Sequence, residues 1–341
     1  MKHQLPNRLS VRAKVLNFVL RASVKPLVFF GKSSPITMRI FKVLYANACH
    51  QLRISKIPDH VRTRSVIVNN CGAEWLTTDN NDFSSEKVFY YLHGGGYFFS
   101  SAQLHRSVTW RLAHYSKRPV FAINYRDAPD HHLAHCLEDA LAGYDHLLNK
   151  GYKPENIMVG GDSAGGHLTL VMLQQIRETG RPMPSAALLI SPLTDISCES
   201  ESLQHNNLRD PFFWGHAIRS LTNFLRRGVD PKDPLMSPVY GNFKDLPPMM
   251  FIVSAAEVLR DDGRRAAREA AAAGVPICYE EWRAMPHVFP FFANWLPEGK
   301  RAYKHIAAFI NAVENKEVKS YVLAHSEDAV VYQKAELKVE V

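Results

Sequence analysis

Gly161-Asp162-Ser163-Ala164-Gly165 is a G-x-S-x-G pentapeptide set between a predicted strand, Asn156 to Gly160, and a predicted helix that opens at Ala164. A serine at such a junction is a candidate nucleophile. The turn from strand into helix must be so sharp that the serine takes a strained backbone, and glycines two residues to either side remove the side chains that would collide. The strain presents Ser163 Oγ at the carboxyl edge of a sheet. There the helix N-terminus supplies a favourable field, and the Ala164 N–H is free to donate to a developing negative charge. Taken alone, the pentapeptide also reads as a glycine-rich turn without chemistry, because the pattern occurs by chance in long chains.

Seventy residues upstream, His93-Gly94-Gly95-Gly96 follows the predicted strand Lys87 to Leu92. A run of glycines lets the backbone curl and aim consecutive N–H groups inward, which supplies the remaining donors for an oxyanion. Each such donor is worth about 2.7–4 kcal/mol once a tetrahedral intermediate places full charge on the former carbonyl oxygen. His93 itself reads as a brace for the loop rather than a base. Together the two motifs point to acyl transfer through a serine.

With HGGG and GDSAGG in this order, the chain resembles the hormone-sensitive-lipase family of α/β hydrolases, the bacterial esterase branch, over roughly Val88 to Val313. The resemblance implies an α/β-hydrolase fold, Ser163 as nucleophile, and Gly95, Gly96 and Ala164 as the oxyanion hole. It also implies the chain order nucleophile, acid, histidine. His287, in Met285-Pro286-His287-Val288-Phe289, lies just past the last predicted core strand in the H-x-F setting of the family's base, whereas His305 and His325 fall in the closing helix and the tail. The family's D-x-L-x-D segment falls on Glu257-Val258-Leu259-Arg260-Asp261, so Glu257 takes the place of the acid and Asp261 is its rival. Either carboxylate suits the fold, because its task is to fix the imidazole tautomer and stabilise the imidazolium. The segment Asn124 to Asp130 resembles the family's Y-R-L-A-P-E stretch with Asp127 in place of leucine, and Ser191 to Asp195 resembles the lead into its cap; both are assigned structural roles.

The elements that must position these residues alternate along the chain. Short strands are predicted at 64–69, 74–77 and 87–92, followed by helix 102–116, strand 119–124, helix 137–149, strand 156–160, helix 164–178 and strand 186–190. Strand and helix in turn mean a mostly parallel central sheet with right-handed crossovers and helices on both faces. Residues 194–245 interrupt the rhythm with prolines and the aromatic run Phe212, Phe213, Trp214, and the pattern resumes with strand 249–254, helix 262–273, strand 277–282 and helix 301–313. The expected organisation is an N-terminal helical cap region over 1–60, a catalytic α/β-hydrolase domain over 61–313 with a cap insertion at about 195–245, and an extension of unassigned role over 314–341.

At 341 residues and 46% hydrophobic content the chain can bury a large core. The formal charge of +8 raises nucleic acid as a partner, but no 5–8-residue Lys/Arg block occurs, and no nucleic-acid binding is expected. Five cysteines, odd in number and without a C-x-x-C pair, read as buried thiols in a reducing compartment, hence the cytoplasm. His131, His132 and His135 have metal-like spacing without an H-E-x-x-H context, and His167, four residues after Ser163, reads as a packed helix residue; no metal or cofactor is expected. From Leu9 to Phe30 basic and apolar residues alternate as in an amphipathic helix, read first as a cap helix and second as a weak membrane-surface contact. The expected activity is hydrolysis of short- to medium-chain carboxylic esters through an acyl-serine. The alternatives are an amide or acetyl hydrolase acting on a small molecule, a membrane-surface lipase, and a small-molecule receptor, the last opposed by His287.

Overall fold

The computed structural model describes residues 9–26, 36, 39, 40, 43, 47 and 56–324. Eight strands form one sheet: β1 (Arg62–Val68), β2 (Cys71–Thr77), β3 (Val88–Leu92), β4 (Val120–Ile123), β5 (Ile157–Asp162), β6 (Ala186–Ile190), β7 (Met249–Ser254) and β8 (Ile277–Trp282). Their order is β1-β2-β4-β3-β5-β6-β7-β8. The β1–β2 and β2–β4 pairs are antiparallel, and from β4 across to β8 every pair is parallel. The sequence of β3, Val-Phe-Tyr-Tyr-Leu, shows no alternation because all five residues are buried, as befits a parallel strand covered on both faces.

One face of the sheet is covered by α3 (Leu133–Asn149), α4 (Ala164–Glu178) and α7 (Arg260–Ala272), whose Tyr144, Leu168, Met172 and Ala266 join Tyr90, Val159 and Phe251 in one core. The other face carries α2 (Arg106–Ser116) and α8 (Pro297–Glu314), with Leu112, Tyr303 and Phe309 packed against Phe89, Leu188 and Ile252. Each such large side chain withdrawn from water contributes about 1.5–3 kcal/mol. Between β6 and β7 run α5 (Ser202–His205) and α6 (Gly215–Arg226), whose apolar residues form a third, small cluster with Val258 and Leu259.

Helix ends depart from the sequence expectation where caps decide them. α3 begins at Leu133, four residues early, because His132 accepts the Ala134 N–H and His135 returns the bond to the His132 N–H. α8 begins at Pro297, a residue suited to the first helical position because its missing N–H would have no partner there. Beyond α8 the extension begins with a short helix, α9 (Val318–Ala324), whose Tyr321 packs on Phe309; residues 325–341 lie outside the described residues.

α1 (Val11–Val19) continues as a π-turn over Leu20–Val24 and differs from the expected cap helix in the face it buries. Ala13 and Leu20 point inward, whereas Val11, Val15, Phe18 and Val19 are exposed. Leu9, Ala13 and Leu16 pack on the core, and polar ties add to this: Ser10 donates from N and Oγ to Glu298, Asn17 Nδ2 donates to Ala284 O, and Arg21 donates to Arg209 O. The small side chain of Ala13 permits that close approach; a larger apolar face would hold the backbone away from these acceptors. Lys25 completes the tie, its buried ammonium donating to Asn207 O and Asp210 O over the Trp214 ring.

Candidate active site

β5 delivers Ser163 to the carboxyl end of the sheet, and α4 starts on the next residue. Ser163 has φ 52° and ψ −117°, a conformation that non-glycine residues seldom adopt. Its backbone is held on both sides: Ser163 N donates to Ile190 O at 2.9 Å, and Ser163 O accepts from His167 N and Leu193 N. A Cβ at Gly161 would lie 2.4 Å from Gly165 O, and one at Gly165 would lie 2.1 Å from Leu92 O. Both obstacles are backbone atoms, so the elbow requires glycine at each position. Ser163 is half-buried rather than fully exposed.

The loop after β3 turns through positive φ at Gly95 (109°) and Gly96 (62°). His93 braces it, stacked on Tyr125 at 4.4 Å while the Tyr125 hydroxyl donates to His93 O. A residue that sequence reasoning passed over anchors the loop: Asp162, inside the pentapeptide itself. Its Oδ1 accepts from Gly94 N at 2.9 Å and from Tyr91 OH at 2.5 Å, and His105 Nε2 lies 3.3 Å away. Ser100 Oγ sits 2.9 Å from the other nitrogen of His105, and the Ser100 side chain packs where a Cβ on Gly95 would fall. Burial pushes the Asp162 carboxyl up, but the His105 charge and the three donors outweigh it and hold the group below the usual carboxylate range. As the first residue of α4, Ala164 has an N–H without an intrahelical acceptor.

Glu257 and His287 come together at the ends of the next two strands. Glu257, three residues past β7, is fully buried; its Oε1 accepts from Ser254 N at 2.7 Å and its Oε2 from His287 Nδ1 at 2.7 Å. Asp261 does not reach the imidazole. It belongs to the first turn of α7, where Arg260 and the Ser202 N–H occupy its carboxylate. His287 Nε2 is buried and has no hydrogen-bond partner, so the bond to Ser163 Oγ is not made in this structure. The His287 loop and the elbow share one support. Val288, at φ 50°, donates its N–H to Ser191 Oγ, and Ser191 directly follows Ile190, whose carbonyl holds Ser163. Ser191 thus has a place at the site that its sequence segment alone did not disclose.

Phe213 lies edge-on to the His287 ring at 5.0 Å, and Phe212 follows at 6.5 Å. Both are fixed by Asp210, a fully buried carboxylate that accepts from Phe212 N and Phe213 N with one oxygen and from Val258 N with the other. Burial pushes this carboxyl up, against the pull of those donors and of His287. No spacing in the sequence marks Asp210, because its partners are backbone groups far along the chain. His167 is fully buried between the Tyr97 hydroxyl and Met236 O, 2.6 Å from each, a packed position as expected. Cys71, Cys136, Cys198 and Cys278 are buried free thiols, and Cys49 lies outside the described residues. Among the described residues no His/Cys/Asp/Glu group could hold a metal ion, and no helix is long and apolar enough to cross a membrane.

Comparison with known proteins adds to this geometry. A family model described as alpha/beta hydrolase fold matches residues 89–291. An acetyl-hydrolase of Streptomyces hygroscopicus is 36% identical over 74% of this chain and 84% of its own. The esterase LipU of Mycobacterium tuberculosis is 34% identical over 66% of this chain and 78% of its own. Among solved structures, an esterase from the bacterial hormone-sensitive lipase family superposes with a TM-score of 0.79 at 32% identity, covering 91% of this chain and 99% of the other. The esterase EstE5, from a crystal soaked in p-nitrophenyl butyrate, does so with a TM-score of 0.80 at 32% identity, covering 89% and 99%.

Proposed function

This chain belongs to the α/β-hydrolase family, in its bacterial hormone-sensitive-lipase branch, and from that premise we propose that Ser163, His287 and Glu257 carry out its hydrolysis of carboxylic esters. The observation that carries the assignment is the His287 imidazole, tied through Nδ1 to Glu257 at 2.7 Å with its Nε2 buried and without a hydrogen-bond partner, on a loop that Ser191 ties to the support of the strained serine turn. Ser163 Oγ attacks the ester carbonyl carbon and its proton passes to Nε2. The resulting oxyanion is received by the N–H groups of Gly95, Gly96 and Ala164. Collapse breaks the ester bond, the leaving alcohol takes the proton from His287, and the acyl group stays on Ser163. Water then attacks under the same histidine, the second tetrahedral species releases the carboxylic acid, and Ser163 recovers its proton. Glu257 keeps the Nδ1 proton in place and stabilises the imidazolium throughout.

In the same reading, the 1–60 segment and the 195–245 insertion form a cap over the 61–313 catalytic domain. Phe212 and Phe213 line an apolar acyl pocket beside His287, which suits short to medium acyl chains. The four buried free thiols support a reducing compartment, the cytoplasm, and the basic N-terminal helix supports contact with a membrane surface. A fluorophosphonate probe tests the nucleophile: it labels the native chain at Ser163, and turnover of p-nitrophenyl esters disappears in Ser163→Ala and His287→Ala. Labelling elsewhere, or a fully active Ser163→Ala, refutes it. The likeness to an acetyl-hydrolase favours one second reading, removal of an acetyl group from an amide on a small molecule. Turnover of an anilide at a rate matching the corresponding ester would establish it.

A further inference from the structure

Large apolar side chains left in water concentrate at the start of this chain. Of the eleven that are exposed among the described residues, seven precede residue 44: Val11, Val15, Phe18, Val19, Ile36, Ile40 and Val43. They are not scattered. Residues 11, 15, 18 and 19 fall on one face of α1 at i, i+4, i+7 and i+8, and residues 36, 40 and 43, each helical, repeat the i, i+4, i+7 spacing. Val11 and Phe18 are 75% and 73% exposed, which isolated surface residues tolerate but a repeated stripe does not without a partner.

The charge of the same segment is equally one-sided. Residues 1–58 hold eleven of the 41 Lys/Arg and no Asp or Glu, so this segment carries +11 while the rest of the chain, with 30 basic and 33 acidic residues, carries −3. The net charge of +8 therefore conceals a basic N-terminal segment on a slightly acidic body. An apolar stripe flanked by cations (Arg12 and Lys14 on α1) matches a lipid surface with anionic headgroups; nucleic acid would satisfy the cations and leave the stripe in water.

We propose that the exposed face of α1, formed by Val11, Val15, Phe18 and Val19, docks this protein on an anionic lipid bilayer, with the apolar stripe in the headgroup boundary and Arg12 and Lys14 against the headgroups. The opposite side of α1 is fixed to the body by Ser10–Glu298, Asn17–Ala284 and Lys25–Asp210, so the docking face is presented at a set angle. Through Lys25 and Asp210 it connects to the loop that places Phe213 on His287, which links the docking face to the proposed site. Only this last consequence rests on the hydrolase reading of the site; docking itself is measured without turnover.

The test is co-sedimentation of the full chain with vesicles of phosphatidylglycerol and phosphatidylcholine in equal parts, and with phosphatidylcholine alone. The native chain partitions onto the anionic vesicles at least about tenfold more strongly, and high salt releases it, since headgroup attraction is screened beyond the Debye length. Lys14→Gln weakens partition about fivefold, the worth of one cation at such a surface. Val15→Asp/Phe18→Asp weakens it at least about tenfold by placing charge in the apolar boundary, while turnover of a soluble p-nitrophenyl ester stays at the native level, showing that the variant is folded. Equal pelleting with both vesicle types, or a double variant that pellets like the native chain, overturns the proposal. So does a native dimer that the double variant dissolves while neither binds vesicles, which would make a second copy the occupant, and so does RNA that strips the chain from anionic vesicles at equal charge. A chain that pellets but turns over no ester leaves docking standing and refutes the catalytic reading alone.

Discussion

The Glu257 carboxylate bridges two loops, accepting the N–H of Ser254 with one oxygen and His287 Nδ1 with the other at 2.7 Å, so the position of the imidazole is set by the end of β7. Asp261, four residues on, is turned away into the first turn of α7. The proposed roles of the two carboxylates therefore separate cleanly by substitution. Glu257→Ala lowers kcat/KM for a p-nitrophenyl ester by about 10³–10⁴, the scale of losing the residue that orients a catalytic histidine. Asp261→Ala remains within about fivefold of native, because it loses only ties at a helix start. Steady-state kinetics on the two variants side by side decides the matter; an inactive Asp261→Ala would reverse the assignment.

Asp162, the residue before the proposed nucleophile Ser163, holds the glycine loop through Gly94 N. Replacing it with asparagine keeps the volume but removes the charge that pairs with His105 and gathers the Gly94 and Tyr91 donors on one oxygen. The loop then shifts relative to Ser163, and oxyanion donors out of place by a fraction of an ångström stabilise the transition state poorly. The expected result is a fall in kcat of about 10²-fold with KM little changed. Equal losses in kcat and in thermal stability without any kinetic selectivity for the transition state would assign Asp162 to the core alone.

Asp210→Ala leaves the buried N–H of Val258 and the part-buried N–H groups of Phe212 and Phe213 without their acceptor. At about 1–3 kcal/mol for a buried donor left unsatisfied, and less for the two part-buried ones that water can reach, urea denaturation should show a loss of at least about 1 kcal/mol. Turnover falls as well, since Phe213 packs on His287 and Val258 follows Glu257. Asp210→Asn, which retains one acceptor oxygen, lies between the two.

His167 gives the fold a dependence on pH. Burial pushes its pKa down to about 4, with only the bond to Met236 O pulling it back toward the ordinary value of 6.5. The native imidazole is neutral across a range in which the unfolded one takes up a proton, so stability declines as pH falls below about 6.5 and the decline levels off near pH 4. The full loss is about 3 kcal/mol. Calorimetric Tm values between pH 7 and pH 4.5 should fall less steeply for His167→Gln, which has nothing to titrate; parallel slopes would contradict the assignment.

How much of this was legible in the sequence depends on the range of the constraint. The serine turn was, because Gly161 answers to a collision within a few residues, with Gly165, although Gly165 itself answers to Leu92 O on the distant β3. The eight core strands were located to within a few residues, since buried apolar runs are set by local composition. Asp162 was hidden in plain view, a polar residue inside a motif whose serine and glycines absorb the attention. Asp210 left no signal, and Ser191 showed only as part of a segment given a structural role, because each acts on backbone groups brought to it from distant elements. The N-terminal helix was recognisable as amphipathic, but which side it buries depended on acceptors at Ala284, Arg209 and Glu298.

By itself the sequence determined which side chains are equipped for acyl transfer, a serine on a glycine-flanked bend, a glycine run ahead of it, and a carboxylate and a histidine in the right order behind. Those are properties of residue type and short spacing, which the covalent chain controls. Tertiary structure alone decided that Glu257 and not Asp261 meets His287, because only the packing of β7 against β8 converts thirty residues of separation into 2.7 Å. It also decided that the apolar stripe of α1 faces outward: a helix offers its two sides equally until the body beneath it supplies hydrogen-bond acceptors to one of them.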